Sequence, residues 1–144
     1  MDSHLTRRRF LETSAALLGV SIIGCGEQAP TAPVSKSNGD GSFTVTGLGA
    51  LTQGTAQTFT FPDGEPGLVF MTAAGQTGAV SAKCTHSGCT VEWNAPNNAK
   101  NPLRCPCHES YFALDGKVLS GPAKAPLAHY SVAVVGEEVT LKKL

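Results

Sequence analysis

Two short segments of the chain each combine cysteine with histidine at close spacing. They read Cys84-Thr85-His86-Ser87-Gly88-Cys89 and Cys105-Pro106-Cys107-His108-Glu109-Ser110. Thiolates and imidazoles together suit a soft metal centre, and such closely spaced donors can reach one metal from a tight loop. The chain must therefore adopt a fold that brings two loops from separate parts of the sequence to one point.

The paired pattern C-T-H-x-G-C and C-P-C-H-x-S resembles the Rieske family, in which two Cys hold one iron of a [2Fe–2S] cluster and two His hold the other. The resemblance implies four ligands, namely Cys84, His86, Cys105 and His108. It also implies a disulfide between Cys89 and Cys107 that ties the two cluster loops together. It further implies one [2Fe–2S] cluster per chain.

The residues themselves leave two other interpretations open. The same two Cys and two His could hold a structural zinc ion in a tetrahedral site. The four cysteines of the two segments could instead form two disulfides beside idle histidines. The remaining histidines, His4 and His129, are predicted to be surface residues rather than ligands.

Other positions place the chain within the family that it resembles. The Cys89 and Cys107 pair is typical of the cytochrome bc-type, high-potential branch, and residues 121–127 match the proline loop of that branch. The resemblance implies that the Ser110 hydroxyl donates to a bridging sulfide of the cluster. Phe112 stands where high-potential members carry a donor tyrosine. Ser87 and Glu109 replace a frequent bulky apolar residue and a frequent glycine.

The N-terminal residues predict export. Residues 6–11, TRRRFL, resemble a twin-arginine signal, and the apolar run at 15–24 is shorter than the roughly 20 residues of a membrane span. Ile22-Ile23-Gly24-Cys25 resembles a lipobox, which predicts removal of residues 1–24 and lipidation of Cys25. The alternative is an uncleaved anchor made of the same run. Both place the domain on the extracytoplasmic face of a bacterial cell-envelope membrane.

The rest of the chain divides into a linker and one domain. Residues 25–41 are rich in Pro, Gly and Ser and predict a flexible linker. Residues 42–144 predict an all-β domain of about ten short strands, because β-forming runs alternate with turn residues. The resemblance implies antiparallel sheets with a small cluster-binding subdomain. With 11 basic and 11 acidic residues the chain lacks the basic surplus of a nucleic-acid-binding protein.

These observations predict a membrane-tethered electron-transfer protein. The sequence shows no general base or substrate pocket, which favours a redox subunit over a stand-alone enzyme. The resemblance implies the iron–sulfur subunit of a quinol:cytochrome c reductase-like complex, with cytochrome b or c partners. The alternative is the small subunit of an arsenite-oxidase-type molybdenum oxidoreductase, with a molybdopterin partner. A non-redox zinc-binding module is a further alternative.

Overall fold

The computed structural model describes residues 33–144, and this part of the chain contains eleven strands and no helix. The strands are β1 (Val34–Ser37), β2 (Ser42–Thr46), β3 (Ala56–Thr60), β4 (Pro66–Met71), β5 (Thr77–Ser81), β6 (Glu92–Trp93), β7 (Leu103–Cys105), β8 (Ser110–Phe112), β9 (Val118–Ser120), β10 (His129–Val135) and β11 (Glu138–Lys143). The all-β prediction is confirmed.

The strands form two sheets. Seven of them close into a barrel in the order β1-β2-β11-β10-β5-β4-β3, and the other four form a sheet in the order β6-β7-β8-β9. The smaller sheet is inserted in the chain between β5 and β10, and it carries the second cysteine–histidine segment. This inserted unit is the predicted cluster-binding subdomain.

Strands β4 and β5 are buried on both faces because they lie between two cores. Successive side chains on a strand point to opposite faces. In β4, Val69 packs with the barrel core, whereas Leu68 and Phe70 pack with the core that contains Cys84 and Cys105. The site is thereby fixed to the barrel wall through a continuous apolar layer, which stabilises it by the burial of apolar surface.

Two predicted hairpins are confirmed. Strands β10 and β11 pair from Val135↔Glu138 to Tyr130↔Lys143, around a turn that contains Gly136 at φ +63. Strands β8 and β9 are joined by a turn in which the Lys117 N–H donates to Asp115 Oδ1 at 3.1 Å. Strand β7 was not predicted, because its three residues are too few to show alternation, and the last of them, Cys105, already belongs to the second cysteine–histidine segment.

The predicted linker at 25–41 is wrong at its C-terminal end. Val34–Ser37 form β1, which pairs antiparallel with β2 and meets β3 at Val34↔Thr60. The buried Ser35 hydroxyl donates to the Thr60 carbonyl and strengthens this junction. A polar segment becomes a strand here because its backbone completes the barrel, so the folded domain begins before residue 42.

The predicted signal segment, residues 1–24, lies outside the described residues, as do Cys25 and His4. Residues 33–144 include no helix with the length and hydropathy that a bilayer crossing requires.

Candidate metal centre

The first cysteine–histidine segment forms a tight loop shortly after β5. The Cys84 N–H donates to the Cys89 carbonyl at 2.8 Å, and the Gly88 N–H donates to the Cys84 carbonyl at 2.8 Å. Gly88 adopts φ +76, a left-handed conformation that glycine enters without steric cost. The loop holds Cys84 in the core, at 2% exposure, and leaves His86 exposed.

The second segment forms the connection between β7 and β8. Cys105 and Ser110 lie opposite each other in this antiparallel pair, and both are buried. The residues between them include Cys107 and His108, which are exposed. The β7–β8 hairpin therefore repeats the arrangement of the first loop, with a buried thiol and an exposed imidazole.

The two loops bring the donors together in two pairs, one of thiols and one of imidazoles. Cys84 and Cys105 are the free cysteines within residues 33–144. Burial raises the pKa of the Cys105 thiol, and a hydrogen bond with the Cys84 thiol raises it further. On the exposed side, His86 Nδ1 lies 3.2 Å from His108 Nδ1, and the two rings are nearly perpendicular, at 87°.

This donor set fits a metal centre. Burial opposes ionisation of the Cys105 thiol, and a bound cation supplies the positive charge that favours the thiolate. Soft sulfur donors on the buried side and nitrogen donors on the exposed side suit a cluster with mixed ligands. The four predicted ligands thus lie in two pairs, with Cys84 and Cys105 buried in one core and the rings of His86 and His108 in direct contact.

A disulfide joins the two loops, and the predicted pairing of Cys89 with Cys107 is confirmed, with Cα atoms 6.5 Å apart. The sulfur of Cys105 lies within 4.8 Å of both disulfide sulfurs. Because Cys84 and Cys105 stay free, the interpretation with two disulfides and idle histidines is wrong. The disulfide holds the loops at a short distance independently of any metal.

Residues 121–127, which were predicted to be a proline loop, cover the two metal-binding loops. The Ala123 N–H donates to the Ser110 hydroxyl at 3.1 Å, and the Thr85 hydroxyl donates to the Ala125 carbonyl at 2.6 Å. Ala123 is buried in the core that contains the two free thiols. This loop therefore shields the sulfur side of the centre from water.

Sequence analysis did not identify several interactions around the centre. The Ala123 to Ser110 hydrogen bond was missed, as was an ion pair between Arg104 and Glu109.

Phe112 is buried and Tyr111 points outward, as the strand alternation at this position predicts. His129, at the start of β10, is half-buried and is not among the residues of the two loops.

Comparison with known proteins places the chain in one family. The Rieske [2Fe-2S] domain matches residues 43–131, which is more than half of the chain. The cytochrome b6-f complex iron-sulfur subunit of Chlorobaculum thiosulfatiphilum is 32% identical over 111 residues, covering 77% of this chain and 59% of that protein. The subunit of the same name from Synechococcus sp. (strain JA-3-3Ab) is 47% identical over 60 residues, covering 42% of this chain and 33% of that protein. The chain thus spans about three fifths or less of these relatives.

Comparison with solved structures leads to the same family as comparison with sequences. The cyanobacterial plasma membrane Rieske protein PetC3 from Synechocystis PCC 6803 is 38% identical and has a TM-score of 0.50, over 60% of this chain and 85% of that chain. The ferredoxin of carbazole 1,9a-dioxygenase from Nocardioides aromaticivorans IC177 shares the fold, with a TM-score of 0.53 at 23% identity over 78% of this chain and 98% of that chain. With the donor set described above, these matches show that the chain belongs to the Rieske [2Fe-2S] family of iron–sulfur electron-transfer proteins.

Proposed function

We propose that this protein is a membrane-tethered, extracytoplasmic electron carrier that serves as the iron–sulfur subunit of a cytochrome-containing complex. The observation that carries the proposal is a pair of exposed imidazoles, with Nδ1 atoms 3.2 Å apart, on the same two loops as two buried thiols. Such a centre has one side shielded by the protein and one side open to a redox partner. When bound, a [2Fe–2S] cluster accepts and releases one electron.

Within this proposal Cys84 and Cys105 hold the buried iron, and His86 and His108 hold the iron nearer solvent. Two neutral imidazoles in place of two thiolates make the site less negative, which raises its reduction potential. The disulfide and the proline loop keep the ligands in place and exclude water from the sulfur side. The exposed imidazole edges provide the shortest route for an electron to a docked partner.

The relatives support a cytochrome-containing partner over a molybdopterin subunit. The proteins compared by sequence are named as cytochrome b6-f complex subunits, and a structural relative is a plasma membrane Rieske protein. The partner's approach is influenced by Ser87, whose hydroxyl lies 3.2 Å from His86 Nδ1. A small polar side chain at this position makes the surface around His86 less apolar than the bulky residue frequent in bc-type proteins.

The metal assignment is tested on the full chain purified from membranes. Iron, acid-labile sulfide and zinc are measured per chain, and the reduced protein is examined by EPR spectroscopy. We expect iron and sulfide in equal amounts and an average g value typical of His-ligated clusters. Replacing a proposed ligand, as in His108→Gln, should abolish that signal, whereas His129→Gln should preserve it. Stoichiometric zinc without iron or sulfide would overturn the proposal.

The partner is tested by affinity purification of the tagged chain from detergent-solubilised membranes. Co-purified haem, detected by its absorption bands, supports the cytochrome-containing complex. Co-purified molybdenum without haem supports the arsenite-oxidase-type alternative and contradicts the proposal. A chain that purifies alone in every detergent tested contradicts the subunit assignment.

A further inference from the structure

An ion pair lies at the base of the second metal-binding loop. Arg104 Nη2 donates to Glu109 Oε1 at 2.5 Å, and Arg104 Nε donates to Glu109 Oε2 at 3.1 Å. The Tyr111 hydroxyl donates to Glu109 Oε2 at 2.5 Å. One carboxylate thus accepts three hydrogen bonds, two of them in the bidentate geometry that makes an arginine–carboxylate pair both strong and directional.

The trio is built into the hairpin that carries the ligands. Arg104 and Tyr111 are direct cross-strand partners in β7 and β8, and the neighbouring pair is Cys105↔Ser110. Because strand residues alternate between faces, Arg104 and Tyr111 lie on the outer face while Cys105 and Ser110 face the core. The Glu109 carboxylate therefore lies on the outer face of the β7–β8 hairpin. The inner face of the same hairpin carries Cys105 and faces the metal centre.

The backbone at Glu109 adopts a conformation that is unusual for a residue with a side chain. Glu109 has φ +56 and is the one non-glycine residue with positive φ within residues 33–144. Non-glycine side chains rarely adopt this left-handed region. The Glu109 carbonyl also lies close to Gly121 of the proline loop, since a Cβ added there would be only 2.5 Å from that oxygen. A residue held in this way on both sides has little freedom to move.

The Arg104–Glu109 ion pair is adjacent in sequence to both proposed ligands of the second loop. Arg104 directly precedes Cys105, and Glu109 directly follows His108. The ion pair therefore closes the ends of the segment that carries both proposed ligands of this loop.

We propose that Arg104, Glu109 and Tyr111 form a brace that fixes the orientation of the His108 imidazole, and that they are positioning residues for electron transfer. The inference rests on the proposed role of His108 as a ligand. The disulfide ties this segment to the first loop and the Ser110 bond ties it to the proline loop. The brace supplies the third restraint, on the face that neither of the others covers.

The test compares variants of the full-length holoprotein at neutral pH. Arg104→Gln and Glu109→Gln each break the ion pair and change the net charge in opposite directions. Glu109→Gly removes the side chain but tolerates the positive φ, so it separates loss of the brace from backbone strain. Lys117→Gln is the matched control, because Lys117 forms an exposed ion pair with Asp115 at 2.7 Å in the β8–β9 turn.

The readouts are the EPR line widths of the reduced protein, the reduction potential and the rate of cluster loss. We expect Arg104→Gln, Glu109→Gln and Glu109→Gly to broaden the EPR features and to speed cluster loss roughly two- to fivefold, the range that an exposed ion pair produces. The double variant Arg104→Gln/Glu109→Gln should be no worse than either single variant, since both remove one interaction. Lys117→Gln should match the wild type.

Two results would overturn the brace. One is wild-type line widths and cluster-loss rates in all three brace variants. The other is a pair of potential shifts of opposite sign in Arg104→Gln and Glu109→Gln with unchanged line widths, which would show that the residues act through charge alone. Zinc in place of the cluster in the wild type would overturn the proposed function and the brace together, and metal analysis of the wild type distinguishes this case from the others.

Discussion

Ser110 has the most constrained hydroxyl group of the site. Its side chain is fully buried and its oxygen accepts the Ala123 N–H at 3.1 Å. A hydroxyl can donate one hydrogen bond and accept two, so the Ser110 proton remains available to a second partner. Phe112 is buried two residues later and has no donor. We infer that one hydroxyl, rather than two, tunes the potential of this centre.

We predict that Ser110→Ala lowers the reduction potential, because a hydrogen bond to sulfur stabilises the more electron-rich reduced cluster. A loss of about 60 mV corresponds to about 1.4 kcal/mol for one electron, which is at the upper end of the net contribution of an ordinary hydrogen bond. Protein-film voltammetry measures the shift. Ser131→Ala is the control, since Ser131 is an exposed serine of β10 whose hydroxyl bonds to the Lys142 carbonyl. An unchanged potential in Ser110→Ala would contradict the assigned role.

At the scale of structural elements, the site depends on the close approach of the proline loop to the β7–β8 connection. Gly121 has φ +95, and a Cβ there would lie 2.5 Å from the Glu109 carbonyl oxygen and 2.6 Å from the Ser110 Cα. Both contacts are with backbone atoms, which cannot rotate away as the end of a flexible side chain would. The absence of a side chain at this position therefore lets the loop cover the centre.

We expect Gly121→Ala to force the proline loop away from the second metal-binding loop. Such overpacking costs about 1–3 kcal/mol, which corresponds to a decrease in apparent Tm of about 4 °C or more. Gly136→Ala is the matched control, because Gly136 also has positive φ, at +63, but has no heavy atom within 4 Å of an added Cβ. The difference between the two variants isolates the clash. Equal Tm values and equal rates of cluster loss would show that the contact is unimportant.

At the scale of the whole molecule, the barrel and the cluster-binding sheet form one folded unit that starts at β1. Val34 begins this strand, so few residues separate the proposed lipidation site at Cys25 from the barrel. A tether of that length would keep the domain close to the membrane surface. The proposed attachment is thus compatible with electron exchange between the centre and a membrane-embedded partner.

We predict that the mature membrane form lacks residues 1–24 and carries a diacylglyceryl group on Cys25. Cys25→Ser should accumulate as an unprocessed precursor, measured by mass spectrometry of the purified membrane fraction. Its EPR signal should match that of the wild type, since Cys25 precedes the folded unit and is not one of the proposed ligands. A wild-type membrane form that retains residues 1–24 would instead support the uncleaved anchor.

Much of the site could be predicted from local sequence. The two segments with cysteine and histidine indicated the loops, and their resemblance to a family implied the pairing of Cys89 with Cys107, which the structure confirms. Most strands and two hairpins were predicted because alternation and turn residues are properties of neighbouring residues. The assignment of Cys84, His86, Cys105 and His108 as ligands remains a prediction, supported by their placement.

Tertiary structure decided the features that depend on residues far apart in the chain. The polar segment Val34–Ser37 is a strand because β2 and β3 pair with its backbone, and no local pattern indicates that. The Ala123 to Ser110 bond exists because the proline loop folds back over β8. The brace at Glu109 requires a left-handed backbone together with two cross-strand partners. Local sequence thus determined which donors this protein presents, and long-range packing decided how firmly they are held.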